Sequence, residues 1–171
     1  MSDPSPVSFF DRPNSYVGRS PTRPNAKRHL AGRGNFVDDI KLPRMLHAAM
    51  VRSPYAHAEI LSIDVSEAKA VPGVVSIITG EDLVDVCKPV VGVLVHLEGL
   101  KSPPQMPLAH DRARWQGEPV VAIAATSRAI AEDAAALVMI DWKELPAVTD
   151  MEAALDADTP VIHADLGDNH A

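Results

Sequence analysis

Residues 45–52 (MLHAAMVR) set Leu46, Ala48 and Met50 in alternation with His47, Ala49 and Val51, a pattern that predicts a strand with one face more apolar than the other. Ser53-Pro54 ends it, and a second strand is expected over residues 59–64, after the short connection carrying Tyr55, Ala56 and His57. Ser66 then offers a hydroxyl that can accept a free amide of a first helical turn. This predicts one or two turns through Ala70, stopped by Pro72-Gly73. The β-branched run over residues 74–79 predicts a buried strand, followed by a turn into a short helix over residues 80–86. Earlier in the chain a short strand is expected over residues 34–37, closed by Asp38-Asp39 and the turn around Pro43.

Residues 87–110 lose this regularity, because Pro89, Gly92, Gly99, Pro103-Pro104 and Pro107 interrupt two apolar patches. They read as a long loop with one strand at residues 90–95, and long loops of this kind are commonly functional or interfacial. After Gly117-Glu118-Pro119 the pattern tightens into a strand over residues 120–125, a helix from Ser127 to about Val138, and a strand over residues 139–143. The helix places Ile130, Ala134, Leu137 and Val138 on one side, and its many alanines give it high propensity and a thin side suited to lying close to a sheet. One more short helix is expected over residues 150–155, then a polar tail. Together the elements predict a mixed α/β (α+β) module.

Composition narrows what this framework can hold. The 171 residues match one domain, and 46% hydrophobic residues with only 4% aromatic ones imply a core of Val, Ile, Leu, Ala and Met. The lone cysteine, Cys87, excludes an intrachain disulfide, a cysteine-rich zinc site and a cysteine-ligated iron–sulfur cluster. The net charge of −7 conceals an asymmetry: residues 1–44 carry eight Lys/Arg against four Asp/Glu, whereas the rest carries eight against nineteen. A basic arm therefore precedes an acidic, aromatic-poor body, a combination that argues against nucleic acid as a partner. Five of the 15 prolines fall in residues 1–24, so the arm should be extended. The start, MSDPSPVSFFDRP, has no apolar signal region, and no stretch approaches the roughly 18 apolar residues of a spanning helix, so a soluble, cytoplasmic protein is expected. The expected plan is an extended basic arm over residues 1–30, a folded domain over residues 31–155 and a polar tail over residues 156–171.

No motif declares catalysis. The histidines, at positions 29, 47, 57, 96, 110, 163 and 170, form no metal-binding helix pattern. Gly32-Arg33-Gly34 lacks a third glycine and precedes a strand rather than following one, so it is no dinucleotide fingerprint. Cys87 has no base beside it and reads as a packing residue. Glu132-Asp133 reads as solvated charge and Ser127 as a helix cap.

Several pieces taken in order, however, resemble one family. They are GRGNFVDD at residues 32–39, MLHAAMVRSPYAHAEILSID at 45–64, SEAKAVPGVV at 66–75 and TGEDL at 79–83, followed by residues 108–111 and 117–125, AEDAAAL at 131–137 and LPAV at 145–148. The chain resembles the start of the large, molybdopterin-binding subunit of the molybdenum hydroxylases: xanthine dehydrogenase, aldehyde oxidase and aerobic carbon monoxide dehydrogenase. The resemblance covers nearly everything after the first fifteen or so residues and implies an α/β hammerhead module with an extended N-terminal arm.

It also implies that the pterin contacts and the catalytic glutamate of such a subunit lie beyond the position of Asn169. No catalytic, cofactor-binding or metal residue carries over, and the chain is expected to bind no cofactor itself. A cytosine-dinucleotide molybdopterin, [2Fe–2S] clusters and, in some members, FAD are expected on partner domains or chains. The implied partners are the remainder of the large subunit, an iron–sulfur subunit and a flavin subunit, with the complete enzyme hydroxylating an aldehyde, an N-heterocycle or carbon monoxide using water. The chain would then be a split small subunit or the N-terminal domain of a longer one, inactive alone. Residues 1–44 and the loop 87–110 are the expected contacts, with Arg19, Arg28, Arg33 and Arg52 as candidate interface residues because guanidinium groups favour bidentate pairing. The rival is a stand-alone binding or assembly protein of hammerhead fold without a redox role.

Overall fold

A computed structural model describes residues 20–92 and 96–170 and divides the chain into two units, Met1–Pro43 and Arg44–Ala171. In the first, a short helix α1 (Ala26–Leu30) precedes a 3₁₀ turn, Val37–Asp39. The strand expected at residues 34–37 does not form. The Asp39 carboxylate accepts the Phe36 N–H at 3.0 Å, and the Phe36 carbonyl accepts the Asp39 N–H at 3.0 Å. Two reciprocal bonds across three residues close the backbone into a turn where a strand would need it open. Gly34 serves a close approach, since a Cβ there would lie 2.8 Å from His29 Nδ1 and 2.9 Å from the Phe36 ring. None of residues 20–43 is buried.

The second unit runs β1 (His47–Arg52), β2 (Ala58–Asp64), α2 (Ser66–Ala70), β3 (Val74–Thr79), β4 (Arg112–Ala113), β5 (Pro119–Ala125), α3 (Arg128–Ala136) and β6 (Met139–Glu144). Its strands form two antiparallel three-stranded sheets, β1-β5-β3 and β4-β2-β6. The β5-α3-β6 segment thus hands the chain from one sheet to the other. Val121, Ile123 and Ala125 project from the central strand β5 into the core, where Ala131 and Ala134 of α3 meet the sheet. Ile60, Ile63, Ile140 and Trp142 of the other sheet pack on the same cluster. The aliphatic core expected from composition is present: its largest fully buried side chains are Ile123, Val120 and Val121.

Several local details differ from the sequence expectation. On α3, Ala131 and Ala134 are fully buried and Val138, just beyond it, packs on the core as expected, whereas Leu137 is left exposed. Ser127 does cap α3, its hydroxyl accepting the Ile130 N–H at 3.3 Å. Ser66 does not cap α2. The Asp64 carboxylate accepts the Ser66 N–H at 2.8 Å, a stronger acceptor than a hydroxyl, and this bond holds the Asp64 carboxyl below its ordinary pKa. The strand β3 is only half-buried. It forms an edge of a sheet covered on one side, so Val74 and Ile77 pack inward while Val75, Ser76 and Ile78 are exposed.

In the loop 87–110 the expected strand reduces to one bridge, Val90 with Gln105, and residues 93–95 lie outside the described residues. Gly80 permits the loop's return, since any side chain there would collide with the Ala109 carbonyl. The short helices expected at residues 80–86 and 150–155 are 3₁₀ turns, Glu81–Leu83 and Ala153–Leu155. Beyond them, Asn169 bridges the Ile162 N–H and the Pro160 carbonyl, and Asp168 pairs with Lys101 of the loop at 2.6 Å. Among the described residues, no helix is long and apolar enough to cross a membrane.

Candidate functional site

Each sheet has one face turned from the core: that of β4-β2-β6 mixes paired charges with the exposed Leu61 and Met139, whereas the paired rows of β1-β5-β3 hold no charge. On β4-β2-β6, Glu59 receives Lys143 at 2.9 Å and Arg112 at 3.2 Å, and Ser62 donates to Asp141 at 2.6 Å. The bond from Lys143 is the main reason the Glu59 carboxyl sits below its ordinary pKa. On β1-β5-β3, the outward rows are Met50–Ala122–Ile78 and Ala48–Ala124–Ser76, with Leu46 just before β1. Leu46, Met50 and Ile78 stand 43%, 45% and 39% exposed. The more apolar face of β1 is thus the uncovered one, and no position in these rows carries a charge.

The sequence-derived arginines are distributed differently. Arg28 donates through Nε to the Arg33 carbonyl at 2.7 Å within the first unit. Arg52 donates to the Gly117 carbonyl at 2.8 Å, bracing the end of the β1–β5 ladder. Arg33 lies in an exposed stretch after α1, and Arg19 lies outside the described residues. Two of these guanidiniums therefore satisfy carbonyls of their own chain.

Next to Arg52, sequence reasoning missed Glu118. Only 8% exposed, it accepts the Arg114 N–H at 2.6 Å, and burial raises its carboxyl pKa against the lowering effect of that bond and of the Arg114 charge. Glu118 lines two small adjoining clefts of about 370 and 210 Å³, shared with Met106. The Gly117-Glu118-Pro119 signal was visible in the sequence, but nothing local marks its carboxyl as buried. A larger, open hollow of about 590 Å³ lies away from these clefts, among residues 147–160. His57 is also buried, its Nδ1 2.8 Å from the Pro146 carbonyl and its Nε2 without a hydrogen-bond partner. Cys87 is a half-buried free thiol. Among the described residues, no group of three or more His, Cys, Asp and Glu side chains is arranged to hold a metal.

Comparison with known proteins decides what this geometry belongs to. The family model for the aldehyde oxidase and xanthine dehydrogenase α/β hammerhead domain matches residues 31–146. The chain belongs to this family. It is 40% identical over 141 residues to the carbon monoxide dehydrogenase large chain of Afipia carboxidovorans, covering 82% of this chain and 17% of that one. It is 38% identical over 153 residues to the nicotine 6-hydroxylase large subunit of Paenarthrobacter nicotinovorans, covering 90% and 18%. Among solved structures, quinoline 2-oxidoreductase from Pseudomonas putida 86 superposes with a TM-score of 0.76 at 44% identity, covering 83% of this chain and 18% of that one. The chain is homologous to one domain of the molybdenum hydroxylase large subunits and spans under a fifth of the length of these three relatives. The two antiparallel sheets with their few helices are its hammerhead module.

Proposed function

We propose that this hammerhead module is a structural part of a molybdenum hydroxylase large subunit, joined to the remainder in one polypeptide or assembled with it as a separate small subunit. It supports an enzyme that hydroxylates an aldehyde, an N-heterocycle or carbon monoxide with oxygen from water. The observation carrying this reading is the family match over residues 31–146 in a chain spanning 17% of the carbon monoxide dehydrogenase large chain.

The chain's own donors do not fit the redox centres this family implies. One cysteine cannot ligate a [2Fe–2S] cluster. Glu118 already holds the Arg114 amide, and the described residues gather no metal-ligand group. In this reading the molybdenum cofactor, iron–sulfur clusters and flavin belong to partner domains or chains, in a cytoplasmic complex without nucleic acid. This chain's contribution is placement, since electron transfer between separate centres demands fixed distances and a packed module supplies a rigid spacer. Arg19 and Arg33, with Arg28 and Arg52 held by local carbonyls, are the docking residues of this reading.

Purification of the chain from its native source, with metal analysis and identification of co-purifying chains, tests the reading. Stoichiometric molybdenum and iron with larger polypeptide is the expected result. A metal-free monomer would contradict it and favour a stand-alone hammerhead protein.

A further inference from the structure

The outward face of β1-β5-β3 is apolar apart from Ser76 and carries no charge in its two paired rows. Met50 and Ile78 stand astride the methyl group of Ala122, Ala48 and Ser76 flank Ala124 in the next row, and Leu46 extends the strip. A solvated sheet face ordinarily carries polar and charged residues, as β4-β2-β6 does with Glu59, Lys143 and Asp141 beside the exposed Leu61 and Met139, whereas the paired outward rows of β1-β5-β3 carry no charge. Contiguous exposed apolar side chains on a folded domain mark a contact surface. Ala122 lies as a shallow trough between Met50 and Ile78, and the row Ala48–Ala124–Ser76 continues it as a flat, small-residue surface on which a helix or strand can settle closely.

We propose that this trough is the seat on which the remaining four-fifths of the large subunit packs, through an apolar element that brings no charge to it. The inference rests on the reading given under Proposed function. The occupant follows from chain length: the relatives carry this domain as 17% and 18% of their own chains, so most of each polypeptide lies outside the domain and must meet it somewhere. The chemistry of the face excludes a charged approach, because a charge brought against Met50 and Ile78 would lose its water without gaining a partner. A second copy fits poorly, since a two-fold contact would set trough against trough and leave a void between the alanines.

Methionine oxidation reads the face directly, because Met50 lies on it while Met151, 85% exposed, lies elsewhere. Hydrogen peroxide would be applied to the free full-length chain and to the assembled molybdenum enzyme, with site-resolved mass spectrometry of both. The expected result is ready oxidation of Met50 in the free chain and at least about tenfold slower oxidation in the assembled enzyme, each normalised to Met151. Equal rates in the two samples would overturn the proposal. So would protection already present in the free chain, whether it persists on dilution, as for cover by the chain's own residues, or disappears, as for a second copy. Failure to recover any molybdenum enzyme containing this chain would instead sink the underlying reading, and the seat with it.

Discussion

The two sheets of this module share one core, yet one outer face carries a network of paired charges beside the exposed Leu61 and Met139, and the other carries no charge in its paired rows. On β4-β2-β6, cross-strand charges satisfy one another around Glu59. On β1-β5-β3, the outward positions hold Leu, Met, Ile, Ala and one Ser, with no charge in the paired rows. The contrast separates two demands on a sheet. One face must be soluble in its own right, and the other gains free energy only when something else covers it. In the proposed assembly, the second face is the one covered by the rest of the large subunit.

Substitutions on opposite faces of the first sheet should differ most. Ile123→Ala on β5 empties the core side and should cost about 3 kcal/mol, within the usual range of about 2–5 for such truncations. Met50→Lys on the outer side of β1 should change the stability of the chain alone by less than about 0.5 kcal/mol. Urea unfolding of the two variants measures both, and a comparable loss at Met50 would mean its face is already covered. Glu118→Ala should cost about 1–3 kcal/mol by leaving the Arg114 amide without its acceptor. Glu118→Gln keeps an acceptor and removes a buried charge, so it should melt at or above wild type at neutral pH. A clear loss in the Gln variant would refute burial as the source of the raised pKa.

Much of this architecture was legible in the chain. The strands β1, β2, β5 and β6 and the helix α3 fall within one or two residues of their expected positions, because alternation, Pro-Gly stops and the Ser127 cap are local signals. The facing of β1 was not legible. Periodicity separates two faces without saying which is inner, and a domain that meets a partner inverts the usual assignment. The burial of β3 was misjudged for a related reason, as a β-branched run cannot report that its sheet is covered on one side only. Nor could sequence show that Arg28 and Arg52 would be taken by the carbonyls of Arg33 and Gly117, or that Asp39 would fold residues 36–39 into a turn. Those partners are chosen by backbone geometry, in the case of Arg52 from 65 residues away.

Smaller effects sharpen the contrast further. Ser127→Ala removes the cap of the helix that covers the inner face of β1-β5-β3 and should cost about 1 kcal/mol, measured by thermal melting with no change in the other sheet. The two glutamates, one associated with each sheet, should give opposite pH signatures. The lowered pKa of Glu59 supplies stability above the ordinary carboxylate value, lost as pH falls through the folded value. The raised pKa of Glu118 acts the other way, its contribution being full below the ordinary value and lost as pH rises through the folded one. Unfolding curves between pH 3 and 7 should therefore flatten at the acid end for Glu59→Gln and at the higher end for Glu118→Gln. Curves of unchanged shape would contradict these assignments.

The central claim, that one face waits for the rest of a hydroxylase subunit and the other does not, is tested most directly by the same substitution made on each. Met50→Lys and Met139→Lys place one new charge on the first and second outer faces respectively, at residues 45% and 68% exposed. Recovery of assembled, molybdenum-containing enzyme from the native source is the quantity to measure. The account predicts a drop of about tenfold or more for Met50→Lys and wild-type recovery for Met139→Lys. Equal recovery of the two variants would contradict it.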